Sequence, residues 1–380
     1  MPQLEDAALP AQLALCLAPS IGPKTARLLI ESCGSPEAVW QEKKENLLRI
    51  KGMGRILVSA LNEKKLFLQA EKEIRAMEKH EIKPLYFLEP SYPQRLRECP
   101  DAPILLYTQG EKGLNTRYAL SVVGTRGATA YGRDQCRKLI FDLKELIGPF
   151  TVISGLAYGI DIMAHRAALE VSIPTVAVLA HGLHMLYPRI HQKSAERIRN
   201  EGALLSDFTT SIKPERNNFL RRNRIIAGLS EGTLVVESAE NGGALITAGM
   251  ALQYFREVMA LPGRASDTRS RGCNHLIAKG GAALVESATD IALNLGWITE
   301  RPATEPKEFI PPLALSKEER KLLELVRTQE ALTPDELCRT SGLPIQKVLS
   351  CLTEMELKQW LSIGPGRQCY PGLLFPLKIS

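Results

Sequence analysis

The chain has eight cysteines but no Cys-x-x-Cys pair, so neither a zinc site nor a disulfide framework is indicated. Its first residues, Met-Pro-Gln-Leu-Glu-Asp, lack the basic start and apolar core of a signal peptide. No run approaches the roughly 18 consecutive apolar residues that a membrane-spanning helix needs. These absences predict a soluble, cytoplasmic protein with reduced thiols, without a membrane partner and without a bound metal.

Aromatic residues are scarce at 6%, whereas the hydrophobic share of 44% and the charged share of 24% are those of an ordinary globular protein. A length of 380 residues is enough for two or three domains, one of them with a sizeable core. The net charge of +6 and the pI near 8.8 are compatible with a polyanionic partner, but they do not identify one.

Seven short apolar runs alternate with amphipathic stretches, at 119–123, 151–153, 175–179, 203–205, 233–236, 258–261 and 283–285. Short, nearly continuous apolar runs are typical of strands that are covered on both faces. Their alternation with helices predicts an α/β fold with a Rossmann-like, doubly wound and mostly parallel sheet. We therefore expect a ligand beyond the carboxyl ends of these strands.

Two smaller regions flank the predicted sheet domain at 119–297. Residues 1–75 contain two turns, Ser20-Ile21-Gly22 and Gly52-Met53-Gly54, each followed by a helical pattern, which resembles tandem helix-hairpin-helix motifs. Such turns either hold a phosphate on backbone N–H groups or only let two helices pack closely. Residues 76–118 form a predicted connector with one short strand at 104–107.

The predicted carboxyl-terminal domain at 313–380 follows a proline-rich linker at 298–312. Three helical patterns and a hairpin give it the outline of a winged helix. Its third helix carries Lys347 and Lys358 against Glu354 and Glu356, whereas a duplex reader should be more basic there. We leave open whether this domain contacts DNA or a protein.

Three predicted strand ends carry the composition of phosphate sites. Gly124, Thr125 and Arg126 follow the first strand, Ser154 and Gly155 follow the second, and Gly243 precedes a later helix. Glycine lets the backbone approach an anion, and arginine adds a fixed pair of donors. The dinucleotide fingerprint, the acid that would hold a ribose and the Walker lysine are all missing, so neither NAD nor a Mg-nucleotide is indicated as a cofactor.

The most basic segment of the chain is 216–230, which contains four arginines, three asparagines and a phenylalanine ahead of an apolar helical run. Guanidinium groups pair with phosphate oxygens, and a ring among them offers a face to a base. The pattern predicts a loop that binds single-stranded nucleic acid. Its candidate contacts are Arg216, Phe219, Arg221, Arg222, Asn223 and Arg224.

Nothing in the sequence nominates a catalytic group. Asp161 and His165 share a helix face, and His181 and His184 follow the third strand, but neither pair has a third ligand or a nucleophile in an argued position. Helix capping by Asp161 and turn geometry at the histidines are the favoured interpretations.

Six motifs in order resemble the DNA-processing protein A (DprA/Smf) family. They are Val-Gly-Thr-Arg at 123–126, Ser-Gly-Leu-Ala-Tyr-Gly-Ile-Asp at 154–161, His-Gly…Tyr-Pro at 181–188, Phe…Arg-Asn-Arg-Ile-Ile-Ala-Gly-Leu-Ser at 219–230, Leu-Ile-Thr-Ala at 245–248 and Ser-x-Gly-x-Asn-x-Leu-Ile at 270–277. The resemblance implies a non-catalytic protein that binds single-stranded DNA, forms a homodimer through its central domain and loads RecA onto incoming strands in natural transformation.

By position, the resemblance implies phosphate contacts at Gly124 and Arg126 and base stacking at Phe219. It also matches Arg216 to a basic residue of the family, and 222–224 to the family's Arg-Asn-Arg. The sequence departs from the family at three places, where Leu220 replaces proline, His184 replaces aspartate and Ala244 replaces serine. We expect Leu220 to loosen the loop backbone.

Two other functions fit parts of the pattern. Nucleotide-processing phosphoribohydrolases resemble this fold, but they need a glutamate in a Gly-Gly-x-Gly-Thr-x-x-Glu context, and residues 242–249 lack it, with Ala248 and Gly249 where the acid would be wanted. A protein-binding adaptor would use the basic segment as a partner surface.

Overall fold

The computed structural model describes residues 5–61, 63–301, 316–328, 332–358, 360–364 and 367–371. The chain forms two compact units, Met1–Arg301 and Pro302–Ser380. The first unit contains a nine-stranded sheet in the order β1-β2-β6-β5-β4-β3-β7-β8-β9. Its strands are β1 Lys83–Tyr86, β2 Leu105–Gln109, β3 Ala119–Val123, β4 Thr151–Ser154, β5 Thr175–Val178, β6 Ala203–Ser206, β7 Gly232–Val235, β8 Glu257–Ala260 and β9 Ala283–Leu284.

The helices of the first unit precede the sheet or connect its strands. They are α1 Glu5–Leu17, α2 Pro23–Cys33, α3 Pro36–Gln41, α4 Lys44–Leu47, α5 Arg55–Ala60, α6 Glu63–Lys79, α7 Gln94–Arg97, α8 Ala130–Ile147, α9 Ile160–Glu170, α10 Gln192–Glu201, α11 Arg216–Leu229, α12 Gly243–Gln253, α13 Arg271–Ala278 and α14 Ala288–Asn294. Within the described residues, no helix combines the length and the apolar character needed to cross a membrane.

The strands from β3 to β9 are all parallel to one another, which confirms the predicted doubly wound α/β sheet. From β3 the chain steps outward through β4 and β5 to β6, and it then returns to the other side of β3 for β7. This reversal separates the crossovers that leave β3 and β7 and opens a crevice at their carboxyl ends. Val123 and Val235 pair at that point of the sheet.

Both faces of the sheet are covered, as the continuous apolar runs require. Along β3, Leu120 and Val122 belong to one buried cluster, and Ala119 and Val123 belong to the other. This alternation follows from the two-residue period of a strand. The sheet therefore exposes its ends, rather than its faces, to ligands.

The connector contributes two strands rather than the one that the sequence predicts. β2 pairs antiparallel with β6, and β1 pairs antiparallel with β2 at the edge of the sheet. Pro84 lies inside β1, where it cannot donate a ladder hydrogen bond. An edge strand tolerates this loss, but a proline in the sequence argues against a strand, so β1 was not predicted.

The two glycine-containing turns of the amino-terminal region share one backbone arrangement. Ser20 and Gly52 have positive φ angles of 65° and 93°. Ile21 and Met53 then bury their side chains, and a glycine caps the helix that follows each turn. The matching geometry fits two copies of one device. Contact with DNA through these turns stays one of the two alternatives.

This amino-terminal region is bound to the sheet through a buried carboxylate on α6. Glu73, 6% exposed, accepts hydrogen bonds of 2.7 Å from the backbone N–H and from the hydroxyl of Thr210, in the segment between β6 and α11. A second contact joins α2 to the connector, where Arg27 donates to the carbonyl oxygens of Arg97 and Cys99 at 3.3 and 3.4 Å. The helices therefore support the segment from which α11 begins.

The second unit is a winged helix, as predicted. It consists of α15 Lys317–Thr328, α16 Pro334–Ser341, α17 Ile345–Leu357 and the antiparallel pair of β10 Leu361–Ile363 and β11 Cys369–Pro371. Thr333 and Glu336 form a capping box at the start of α16, as their spacing predicts. Most of the predicted linker at 298–312 lies outside the described residues.

We expect Glu73→Ala to lower the free energy of unfolding by about 1–3 kcal/mol, because it leaves the Thr210 N–H without its buried acceptor. The measurement is the midpoint of urea denaturation, monitored by circular dichroism. Glu71→Ala is the matched control, since Glu71 is an exposed acid on the same helix, 4.0 Å from Arg75. Equal midpoints for the two variants would remove Glu73 from this role.

Candidate nucleic-acid interface

A cleft of about 250 Å³ lies at the carboxyl ends of β3 and β7, where the strand order reverses. Its walls come from the loop after β3, the start of α9, one face of α11 and the start of α12. The cleft brings together seven of the predicted site residues: Gly124, Thr125, Arg126, Phe219, Arg222, Asn223 and Gly243. The other five, Ser154, Gly155, Arg216, Arg221 and Arg224, lie outside its lining.

The arginine-rich segment is a helix and not a loop, so this prediction was wrong. α11 begins at Arg216, and neither proline nor glycine occurs in it before Gly228. Arginine and leucine are good helix formers, and the asparagines are weaker ones but do not break a helix. Leu220 lies inside α11 and is 40% exposed, so it does not loosen a loop as expected.

The helical period distributes the polar residues of α11 over different surfaces. Phe219, Arg222, Asn223 and Ile226 line the cleft. Their spacing of three, one and three residues is that of one helix face. Arg221 lines a different cleft, where its guanidinium carbon lies 5.1 Å from the centre of the Phe208 ring. The charge counted along the sequence is therefore not one patch.

Arg222 forms the floor of the cleft. It is 3% exposed and donates from Nη1 to the carbonyl oxygens of Gly155, at 2.8 Å, and of Val178. A side chain at Gly155 would overlap the guanidinium group, so the glycine makes room for Arg222. Burial lowers the pKa of Arg222 to about 10, and the nearby charge of Asp161 opposes this shift. The group is therefore a cation at neutral pH.

Phe219 lies near two guanidinium groups at the mouth of the cleft. The guanidinium carbon of Arg126 is 5.1 Å from the ring centre, and that of Arg222 is 5.9 Å from it. The ring of Tyr187 meets Phe219 edge-on with centres 6.0 Å apart. Arg126 is exposed and Phe219 is half-buried. Cation and ring thus form one surface that faces solvent.

The loop after β3 is held by Glu237, which follows β7. Thr125 N–H donates to the carbonyl oxygen of Glu237 at 2.7 Å, and Thr129 N–H donates to its carboxylate at 2.9 Å. Glu237 is 3% exposed, so the protein fills the amino-terminal end of α8 with its own carboxylate. The expected anion position there is already occupied.

The start of α12 differs from that of α8. Gly242, Gly243 and Ala244 line the cleft, and Gly243 is exposed with no atom near the place of a side chain. N–H groups of a first helical turn have no partner within the helix. The amino-terminal end of α12 is therefore the one that faces the cleft and suits an anion.

The remaining predicted residues have structural contacts or lie apart. Ser154 is fully buried, and its hydroxyl donates to the carbonyl oxygen of Val122 at 2.6 Å. Arg224 binds the carboxylate of Asp207 and the carbonyl oxygen of Asp101. Arg216 is exposed at the first position of α11. Ser154 and Arg224 therefore hold the scaffold of the cleft.

The histidines considered from sequence also have packing roles. His165 is fully buried beside Thr175, with Nδ1 2.7 Å from the hydroxyl, and burial lowers its pKa to about 3. His181 Nε2 accepts from Tyr187 N–H at 3.2 Å. His184 lines a separate cleft, with its ring centre 6.0 Å from that of His80. Among the described residues, no group of three or more side chains could hold a metal.

The sequence reading missed two acids on which this geometry depends. Glu237 caps α8, and Asp207 pairs with Arg224 at a carboxylate that is 3% exposed. Both follow a predicted strand by one or two residues, which places them at the edge where the arginines lie. That position was the available signal for Asp207 and Glu237.

Residues 83–296 match the family model described as DNA recombination-mediator protein A, and residues 305–367 match the DprA winged helix domain. Protein Smf of Escherichia coli is 38% identical over 285 residues, which are 72% of this chain and 74% of the relative. The chain belongs to the DNA recombination-mediator protein A family. Protein Smf of Synechocystis matches over 91% of this chain and 94% of its own length at 31% identity.

Two solved structures of DNA processing protein A share the fold. The Streptococcus pneumoniae protein has a TM-score of 0.61 at 31% identity, and it covers 74% of this chain and 94% of its own. The Helicobacter pylori protein, whose structure concerns its single-stranded DNA binding mode, has a TM-score of 0.51 at 27% identity and covers 57% of this chain and 96% of its own.

We expect Gly155→Ala to destabilise the fold by about 1–3 kcal/mol, because the added methyl group overlaps the buried Arg222 guanidinium. Gly243→Ala is the matched control at the cleft mouth. Since it meets open space in a first helical turn, its effect should stay within about 1 kcal/mol. The measurement is the midpoint of urea denaturation for both variants and for wild type. A Gly155→Ala midpoint equal to that of wild type would contradict the packing described for Arg222.

Proposed function

We propose that this protein is a single-stranded DNA-binding recombination mediator that acts without catalysing a reaction. The observation that carries the proposal is the Phe219 ring with Arg126 5.1 Å above it, at the mouth of a cleft that also receives the start of α12. The ring can stack on a base while the neighbouring cation contacts the phosphate of the same nucleotide. Membership of the recombination-mediator family supports the same function.

Each cleft residue then has a role set by its position. Arg126 contacts a phosphate, and the N–H groups at Gly243 offer a second anion position. Phe219 stacks on a base, and Asn223 offers its amide to a base edge. Arg222 supports the loop at Gly155 and adds positive charge beneath the bound DNA strand. Arg216, exposed one helical turn before Phe219, extends the contact to the next phosphate.

The distribution of charge favours a single strand over a duplex. A flexible strand turns its bases outward onto a ring, whereas a duplex keeps them stacked inside. On α17, the helix that would enter a groove, exposed Lys347 is accompanied by exposed Glu354 and Glu356. Lys358, just beyond the helix, lies 3.2 Å from Glu319. This helix has little free positive charge for duplex phosphates.

The chemistry of the cleft favours binding over hydrolysis. Asp161 is the one acid among the described residues that line it. Asp161 is 7% exposed, and burial raises its pKa while Arg222 opposes the shift. A general acid or base must reach the reacting group, and this carboxylate faces Ala157 N–H at 3.4 Å instead.

The partners that complete this function are a second copy of the chain and the RecA recombinase. An apolar patch suited to a homodimer lies at the β9 edge of the sheet, where Phe255 is 96% exposed and Leu252 and Leu284 are 45% and 47% exposed. An open edge strand beside exposed apolar side chains favours association with another chain. Two copies would present two clefts to one strand, on which RecA is loaded during natural transformation.

We expect the protein to bind a single-stranded oligonucleotide far more tightly than its duplex, with an affinity that falls as salt rises because counterions are released. Fluorescence anisotropy at matched salt measures both affinities. Adding RecA to the preformed complex should speed formation of the RecA filament. Equal or tighter duplex binding overturns the proposal, and release of free base from nucleoside monophosphates would favour an enzyme.

Phe219→Ala should weaken binding of a short single-stranded oligonucleotide by about 1–3 kcal/mol, the value of one base stacked on a ring. Phe219→Leu should weaken it similarly because it keeps an apolar side chain without a flat face. Phe219→Tyr keeps the ring and is the matched control. Equal affinities for the leucine and tyrosine variants would assign Phe219 to packing alone.

A further inference from the structure

A second concentration of positive charge follows β8, in residues 262–271, here called the β8 loop. Arg264, Arg269 and Arg271 are all exposed there. Within the part of the chain that the structure describes, neither Arg264 nor Arg271 has an ion pair or a side-chain hydrogen bond. Asp267, the one acid of the loop, accepts from Arg269 N–H at 2.9 Å and from the Ser270 hydroxyl at 3.3 Å. The loop thus keeps uncompensated positive charge.

The β8 loop and the first turn of α13 are joined to both loops that form the cleft. Arg269 Nη1 donates to the carbonyl oxygen of Gly127 at 2.7 Å, one residue beyond Arg126. Gly272 N–H donates to the carbonyl oxygen of Ser238 at 2.8 Å, and Ser238 lines the cleft. Because β3, β7 and β8 are parallel neighbours, all three loops lie at one edge of the sheet. The positive surface is therefore continuous with the cleft.

A hollow of about 550 Å³ lies along this surface, between the β8 loop and the start of α8. Arg264 and Tyr131 line it, and Tyr131 is 54% exposed. Asp267 and Glu286 also line the hollow, whereas Arg269 and Arg271 do not. The hollow thus carries a cation and an exposed ring, as the cleft does with Arg126 and Phe219. This hollow with Arg264 and Tyr131 belongs neither to the basic segment at 216–230 nor to the lining of the cleft.

We propose that the β8 loop is a second contact site for the same single strand, which leaves the cleft past Arg126 and runs toward β8. This inference rests on the proposed function. Two strand spacings of about 4.8 Å separate β3 from β8. The added path along the edge of the sheet is therefore about 10 Å. Arg264 and Arg271 neutralise phosphates, and Tyr131 lies where a base can stack.

The test uses Arg264→Ala/Arg271→Ala in the full chain, because neither side chain forms an ion pair or a side-chain hydrogen bond within the described residues. The variant is tested with oligothymidylates of about 6 and about 20 nucleotides, one near the lower end of common site sizes and one above their upper end. For the longer oligonucleotide, we expect the variant to bind at least about tenfold more weakly than wild type at about 50 mM salt. The slope of log K against the logarithm of the salt concentration should be smaller in magnitude by about 1.4, because two phosphate contacts worth about 0.7 each are lost. Affinity for the shorter one should not change.

Lys138→Ala/Lys144→Ala is the matched control, since it removes two cations from α8, and Lys144 lies in the last turn at the opposite edge of the sheet. It should leave the salt slope unchanged. An unaltered slope for the arginine variant, or equal weakening with both oligonucleotides, overturns the β8 path while the proposed function stands. A wild-type chain that binds neither oligonucleotide overturns the proposed function, and the path with it.

Discussion

The cleft depends on one buried interaction, the hydrogen bonds from the Arg222 guanidinium to the carbonyl oxygens of Gly155 and Val178. They tie α11 to the ends of β4 and β5 and so fix the helix face that carries Phe219. A buried guanidinium is costly unless its donors are satisfied, and the neighbouring Asp161 offsets part of that cost. Gly155 is the second half of the constraint, since a larger residue would displace Arg222.

Around this point the protein uses arginines for two different purposes. Arg222 and Arg224 hold elements together, and Arg224 does so through Asp207 and Asp101. Arg126 and Arg216 remain exposed at the edge of the sheet. Arginine suits both purposes because its planar group makes several hydrogen bonds and keeps its charge when it is buried. Arg222 and Arg224 fix α11 and thereby the position of Arg216 at its first residue, whereas Glu237 holds the loop that carries Arg126.

The sequence predicted the parallel sheet well because buried strands leave a local trace, a short apolar run such as 119–123 that is apolar whatever lies beside it. The arginine-rich first part of α11 was not predicted as helix, because its arginines and asparagines obscure the period in which Phe219, Arg222, Asn223 and Ile226 recur. β1 was missed because Pro84 argues against a strand and only the edge position permits one. The pairing of Glu237 with Thr129 spans 108 residues and leaves no local trace.

Glu237 has a consequence for selectivity. In nucleotide-binding proteins of this architecture, the helix after the first strand receives the phosphate of a free nucleotide. Here a carboxylate already occupies that place, at 2.9 Å from Thr129 N–H. A mononucleotide would meet repulsion there and could rely only on the shallow contacts of the cleft mouth. A polymer gains many such contacts at once. The start of α8 thus offers no free place for the phosphate of a mononucleotide.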